Sequence, residues 1–487
     1  MRTPPFMGTA VGASALNLCL FLILLAWLSL GLAGCGMGSG AKLDPDMARL
    51  VTAKQAQAKE LAALQTNIVP GDVWRFFQAA ERGDWQRTTN LFERLQKASG
   101  RASSYRPPRP GLWGQLTTVI NEWLKAGRKF QPTPALNTAM WCPIQETLGV
   151  AEVFHDWNGK LLHLYGQGII ESIPTNSIYF GGTDPGRFVI TALSPSHREA
   201  KPFFTLTQNA LADGTYLDYL RQMYGSLIYI PTADDSQKAF NDYLKDAQER
   251  LQSGKLKPGE DVRTVSGRVT VSGQVAVMEI NARLVKIIFD RNPTREFYVE
   301  ESFPLEWMYP YLSPHGLIFK LNREPLPELS EATVREDHEY WRRFAGQLIG
   351  DWLTDQTSVK EVCDFAERVY LRKDLGAFRG DQAFARNDAA QKAFSKLRSA
   401  IGGVYAWRAT HATESAEKKR MGSEADFAFR QALALCPYSP EAVFRYVQFL
   451  LSQNRQKDAV LVAETCHRLD PNNPQVAGLA EQLGKMR

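Results

Sequence analysis

The chain has 487 residues, 44% of them apolar and 22% charged, with a formal net charge of +5. That length exceeds what one hydrophobic core ordinarily serves, so two or three domains are expected. The composition excludes a disordered or collagenous chain. So small a charge excess on so long a chain gives no case for a nucleic-acid partner.

In chain order, the first element is an apolar run from Leu16 to Leu32, with only Arg2 as an early positive charge. A secretory signal has an apolar core of roughly 7–15 residues, and a spanning helix needs roughly 20. The run falls between the two and closes on Leu32-Ala33-Gly34-Cys35, followed by Gly36-Met37-Gly38-Ser39-Gly40. That order resembles the lipobox of bacterial lipoproteins. The resemblance implies that Cys35 receives lipid and becomes the new N-terminus. An uncleaved apolar anchor and an ordinary cleaved signal are the alternatives. All three place the body outside the cytoplasm, at the cell envelope. Gly36 stands where an Asp in that family tends to hold lipoproteins at the inner membrane.

Residues 41–66 are rich in Ala, Lys, Gln and Leu and predict a helix or stalk. Pro70-Gly71-Asp72 interrupts it, with Asp72 as a candidate N-cap. Val73–Ala80 and Trp85–Leu95, around Gly83-Asp84, predict one helical hairpin of tetratricopeptide type. A Pro-rich linker over 101–112 carries Arg101, Arg106 and Arg109. It reads as a solvated connection or a weak contact with anionic lipid or polymer. A helix with Trp113, Leu116, Ile120 and Trp123 is broken by Pro132 and Pro134, and helical pattern resumes to about residue 165.

The middle alternates short β-rich runs with helical patterns. Strands are predicted at Ser177–Phe180, Phe203–Thr207, Leu227–Ile230, Glu296–Glu300 and Gly316–Leu321. Helices are predicted at Pro185–Leu193, Asp213–Tyr224, 234–253 and Val275–Phe289, and 262–273 reads as a small hairpin. Strands alternating with helices predict a parallel sheet with crossover helices.

The most distinctive internal motif follows the first of these strands: Tyr179-Phe180-Gly181-Gly182-Thr183-Asp184-Pro185-Gly186-Arg187-Phe188. In open α/β sheets, ligands bind beyond the carboxyl ends of the strands, and helix N-termini attract anions. The expectation is that Gly181 and Gly182 cradle an anion through their amides. Thr183 lies in the same loop, with Asp184 and Arg187 orienting the ligand. Asn209 and Asp213, and Glu300 and Glu301, would lie on the same rim. The structural alternative is a tight turn with Asp184 as N-cap and Pro185 in the first helical turn.

No metal site is expected. The six cysteines form no CxxC pair, and zinc ligation needs closely spaced Cys or His pairs. His155, His163, His197, His315, His338, His411 and His467 are scattered without a ligand partner one helical turn away. Phe303, Trp307, Tyr309 and Tyr311 read as core rather than a sugar platform. No GxSxG, HExxH or EF-hand loop is present, and no cofactor is expected.

From Ser330 onward the pattern is helical. Ala425 and Ala459, Phe429 and Ala463, Ala432 and Cys466, and Pro437 and Pro471 are each 34 residues apart. That period resembles tetratricopeptide repeats. In the last unit, Pro440–Asn473, Val443, Tyr446, Val447 and Leu450 match the first helix of the family. Ala459, Ala463 and Cys466 match the second, and Leu469-Asp470-Pro471-Asn472-Asn473 matches the closing turn. Asn454 replaces the usual Gly, which its tolerance of a left-handed backbone allows. Residues 474–485 would form the capping helix such arrays need.

Three segments look like the soluble C-terminal half of a family of bacterial multi-pass membrane proteins, whose membrane half resembles glycosyltransferases that use lipid-linked sugars. They are Asn176–Asp184, Phe204–Ala212 with Thr215-Tyr216-Leu217, and Tyr311–Ile318. This chain lacks the multi-pass half, so transferase activity does not carry over. The resemblance implies an extracytoplasmic α/β module handling acceptor protein or glycan.

The expected architecture is α/β plus all-α. A signal or anchor spans 1–35, a stalk and hairpin 36–100, a linker with helices 101–170, and a parallel-type α/β domain 171–328. A helical region over 329–424 and tetratricopeptide hairpins over 425–487 complete it. The expected function is a membrane-tethered, non-catalytic scaffold whose repeats bind a partner protein. The alternative is a glycan- or phosphate-binding or glycan-processing module centred on the 181–187 rim.

Overall fold

The computed structural model describes residues 43–100, 133–194, 201–265, 268–301 and 304–485. Cys35, the apolar run, the Pro-rich linker, the helix expected around Trp113, and His197 lie outside them. Two compact units result: 43–241 with 278–326, and 242–277 with 327–485. Among the described residues no helix is long and apolar enough to cross a membrane.

The first unit opens with α1 (Pro45–Ala63), capped by Asp44, which accepts from Asp46 N at 2.9 Å. Met47, Leu50, Val51, Lys54, Ala58 and Leu61 are buried along one face, the helical spacing of a core-facing stripe. α1 is therefore not a free stalk: it packs on α2 (Gly71–Glu81) and on α4 (Trp141–Asp156). Lys54 Nζ reaches Glu146 Oε2 at 2.6 Å and the Tyr219 hydroxyl at 2.9 Å. Such a pair is stable out of water only when fully hydrogen-bonded.

The hairpin of α2 and α3 (Trp85–Ser99) forms as expected. Pro70, not Asp72, precedes α2, and Asp84 caps α3. α5 (Gly159–Ile170) follows, capped by Asn158. Helices 45–99 and 141–170 share the unit of the sheet instead of standing apart.

The sheet has the order β2-β1-β5-β7-β6. β1 (Ile178–Gly181) lies between β2 (Phe204–Thr207) and β5 (Phe297–Glu300), parallel to both, with Ile178 opposite Phe204 and Phe297. Every residue of these three strands is buried, as a parallel sheet covered on both faces requires. β6 (Leu312–His315) and β7 (Ile318–Leu321) add antiparallel strands turned at Gly316, whose φ is 61°. The sheet is thus mixed, and its parallel character belongs to three strands. β6 escaped the sequence reading because Ser313-Pro314-His315 has turn composition; proline is tolerated there on an edge strand.

The strand expected at Leu227–Ile230 does not form. Asn292, on the chain after α9 (Gly273–Arg291), donates to Tyr229 O at 3.1 Å and accepts from Tyr229 N at 2.8 Å. A side-chain amide takes the hydrogen bonds a neighbouring strand would have made. The helices α6 (Asp184–Leu193), α7 (Gly214–Tyr224) and α8 (Ala233–Gln252) form where expected, as does the hairpin β3 (Asp261–Val265) with β4 (Arg268–Ser272).

Beyond residue 326 the chain is helical: α10 (Glu331–Ile349), α11 (Val359–Ala366), α12 (Asp388–His411), α13 (Ser415–Leu435), α14 (Pro440–Ser452), α15 (Gln456–Leu469) and α16 (Pro474–Gly484). The equivalents spaced by 34 residues are buried in their cores: Ala425 with Ala459, Phe429 with Ala463, Ala432 with Cys466. Asn454 takes a left-handed φ of 58° between α14 and α15. α14 is buried on nearly every face, including Glu441 and Arg445, between α12, α13 and α15. At the centre of this unit Arg398, 0% exposed, pairs with Asp337 at 2.8 Å, and the Tyr405 hydroxyl donates to the same carboxylate oxygen at 2.9 Å.

Candidate functional site

Connections from β1 run to β2 on one side, and the chain returns to β5 on the other. Such a reversal opens a crevice at the carboxyl ends of the central strands, where open α/β sheets bind ligands. Three loops meet there, after β1, β2 and β5.

The loop after β1 is occupied from within the chain. Glu300, the last residue of β5, turns its carboxyl into it. Glu300 Oε2 accepts from Gly182 N at 3.3 Å and Thr183 N at 3.1 Å; Oε1 accepts from the Thr183 hydroxyl at 2.7 Å and the Tyr165 hydroxyl at 3.1 Å. All four partners donate, which suits an ionised carboxyl. Complete burial acts against the charge and raises the group above the ordinary carboxylate range despite them. Burial, and then the Glu300 charge, push the Tyr165 hydroxyl well up.

The glycines make this approach possible. A β-carbon on Gly186 would lie 1.7 Å from Glu300 Oε2, and one on Gly182 would lie 1.9 Å from Glu301 Oε2. The Tyr179 hydroxyl donates to Gly186 O at 2.7 Å and fixes the first turn of α6.

The sequence-predicted residues divide accordingly. Gly182 and Thr183 turn their amides to the Glu300 carboxyl, whereas Gly181, expected to do so, closes strand β1; Asn209 joins them, donating to Gly182 O at 2.8 Å and to Glu301 Oε2 at 3.3 Å. Gln208 donates to the same Glu301 oxygen at 3.3 Å. Thr183, not Asp184, is the N-cap of α6, its hydroxyl accepting from Gly186 N at 3.1 Å. Asp184 stands in the first turn and is exposed; Arg187 Nε lies 3.5 Å from its Oδ1. The Arg187 guanidinium covers the Phe188 ring at 4.1 Å. Asp213 caps α7 by accepting from Thr215 N and the Thr215 hydroxyl at 2.9 and 2.7 Å.

One neighbour escaped the sequence reading. The Glu152 carboxyl, on α4, is pushed up to about 8 by burial, then by the charges of Asp184 and Asp156, with Arg187 opposing. Nothing in the local sequence marks it, because Asp184 and Arg187 reach it only through the fold. Asp44, Asp46 and His163 also converge, their ligand-type atoms within 4.8 Å of one another. Internal bonds account for them: Asp44 caps α1, Asp46 pairs with Arg49 at 2.6 Å, and His163 Nε2 meets Asp46 at 3.0 Å.

No protein-family model, curated protein or solved structure matches this chain.

Proposed function

We propose that the protein is a membrane-tethered scaffold of the cell envelope that holds a partner protein and carries out no reaction itself. The observation behind this reading is the Glu300 carboxyl on the 181–183 loop. The donors that a phosphate or other anion would use serve a side chain of the same chain. The Leu32-Ala33-Gly34-Cys35 junction supports a lipid tether, and the 34-residue period supports tetratricopeptide hairpins at the C-terminus.

With α14 enclosed, the surface left for a partner on the last hairpin is the exposed face of α15 and α16, including Lys457 and Gln482. The test compares cross-linked partners of the full-length, membrane-extracted protein with those of a Lys457→Glu/Gln482→Glu variant. Loss of a partner is expected; an unchanged set would count against the reading. Intact mass of the extracted protein, beside a Cys35→Ala variant, tests the tether. A mature chain that still begins at Met1 would refute processing at Cys35.

A second reading rests on Glu152. Burial and the Asp184 charge push its carboxyl up to about 8, the direction a general acid needs, which would suit a glycan- or phosphate-handling module. Thermal-shift measurements with sugars, nucleotide sugars and polyprenyl phosphates on wild type and Asp184→Ala decide it. No shift with any of these compounds would sink this reading.

A further inference from the structure

The second unit carries a basic loop that neither reading uses. After α11 the chain makes a π-helical turn, Glu367–Leu371, and then runs without regular structure to the short helix Gln382–Ala385. Over 371–386 it carries four basic residues, Arg372, Lys373, Arg379 and Arg386, all exposed, against two acidic ones, Asp374 and Asp381. Among the described residues none of the four basic side chains is in an ion pair; Arg386 meets only Gln382 Oε1, at 3.4 Å. Asp374 and Asp381 serve the loop's own backbone, accepting from Gly376 N at 3.1 Å and Ala383 N at 2.7 Å. The neighbouring Glu367 is engaged by Arg468 at 2.9 Å.

The loop is held in place by the unit beneath it. Asp374 N donates to Arg368 O at 3.0 Å, and Asp381 N to Leu348 O, near the end of α10, at 3.0 Å. A β-carbon on Gly380 would lie 2.3 Å from that same Leu348 carbonyl oxygen. The Phe378 ring meets Phe365, which is stacked on Trp352. Two backbone features are unusual. A π-helical turn is rare and occurs mostly at functional sites. Lys373 takes a left-handed φ of 55°, uncommon for a side chain of its kind, and backbone strain held by its surroundings concentrates at functional loops. The four cations suit any anionic surface. Leu371, 43% exposed and directly before Arg372 and Lys373, favours one with an apolar layer beneath its charges. Basic residues beside an apolar side chain are how a protein surface settles at a bilayer interface.

We propose that this loop docks on the anionic phospholipid surface of the membrane to which the chain is tethered. Arg372, Lys373, Arg379 and Arg386 meet lipid phosphates, and Leu371 enters the apolar boundary below them. The proposal takes from the tether reading only that a membrane is near.

The experiment reads hydrogen exchange by mass spectrometry on the full chain reconstituted with vesicles. One set is phosphatidylcholine alone, the other phosphatidylcholine and phosphatidylglycerol in equal parts. Peptides covering 371–381 are expected to exchange several-fold more slowly on the anionic vesicles than on the zwitterionic ones. Salt at about 1 M, where the screening length is roughly 3 Å, should remove the difference without any variant. Arg372→Glu/Arg379→Glu should remove it too, and Leu371→Ser should reduce it. These three positions are exposed, so the variants keep the fold, which an unchanged thermal midpoint checks. Lys457→Glu/Gln482→Glu should leave the difference as it is, so that the loop and the C-terminal face fail or hold separately. Equal exchange on the two vesicles would overturn the proposal, as would a difference that survives in Arg372→Glu/Arg379→Glu. A protein cross-linked to wild type but not to that variant, with exchange equal on both vesicles, would assign the loop to an acidic partner and overturn it equally. A chain that floats with the anionic vesicles alone and shows slowed exchange there would refute the tether and support the proposal.

Discussion

Glu300 does inside this protein what a bound anion would do at the same loop. Four donors converge on its two oxygens, so its removal takes the side-chain acceptor from the Thr183 amide and the Thr183 hydroxyl, while the Gly182 amide keeps the Glu300 backbone carbonyl at 2.7 Å. Glu300→Ala is expected to cost about 3 kcal/mol or more, the scale of several bonds to a charged acceptor, read by urea denaturation. Glu300→Gln should cost less but not nothing, because its NH2 would face a donor. Gly186→Ala forces a β-carbon onto Glu300 Oε2, so it should also destabilise. The double variant Gly186→Ala/Glu300→Ala should lose less than the sum of the two, since the group that clashes is gone; simple additivity would show that the two do not press on each other. His338 gives a residue-scale pH dependence. Its Nδ1 lies 3.0 Å from Glu424 Oε2, its Nε2 3.6 Å from Asp355 Oδ1, and its ring stacks on Phe427. The Glu424 hydrogen bond raises its pKa above 6.5, with burial and the Arg398 charge opposing. A raised folded value stabilises the protein fully below about 6.5, and that stabilisation is lost as pH rises through the folded value. Unfolding free energy of wild type should therefore fall across neutral pH relative to His338→Gln; parallel curves would exclude the coupling.

At the scale of elements, the turn between α14 and α15 depends on one backbone conformation. Asn454 sits at φ 58°, where a side chain other than Asn or Asp is crowded. Asn454→Val is expected to cost about 1–2 kcal/mol and Asn454→Gly almost nothing; equal costs would mean the turn relaxes out of the left-handed region. This is the kind of feature a sequence displays, because local backbone needs select local residue types. The same holds for the capped helices and for β1, β2 and β5, whose short apolar runs lie between turn residues. What escaped has a different physical origin. Tyr229 belongs to no strand because Asn292, 63 residues away, takes its backbone bonds. The loop of Gly182 and Thr183 and the place of Glu300 on its rim were legible in the motif and the strand ends, but that the Glu300 carboxyl fills the loop was not, since the two are 117 residues apart. Composition predicted a helix at α1, yet only its buried face and the Lys54–Glu146 pair reveal that it is covered. Local pattern predicted that these elements exist; pairing between distant polar groups decided which of their donors remain available.

At the scale of the whole molecule, packing α1 into the first unit changes what a tether at Cys35 would do. Without a stalk, the reach from Cys35 to Pro45 is at most roughly 35 Å of extended chain, so a lipidated body would stay close to its membrane. The two units also make a thermodynamic prediction. Each has its own buried core and its own buried polar centre, Glu300 with Thr183 and Tyr165 in one, Asp337 with Arg398 and Tyr405 in the other. Asp337→Ala strands the Arg398 guanidinium, 0% exposed, and breaking such a pair typically costs about 3–5 kcal/mol. In a unit of this size that corresponds to a lowered midpoint of roughly 6–20 °C. If the cores unfold separately, calorimetry of the full chain resolves two transitions. Asp337→Ala should lower one of them and Glu300→Ala the other. A single transition moved by both variants would mean that the units unfold together, and that stability cannot be assigned to either alone.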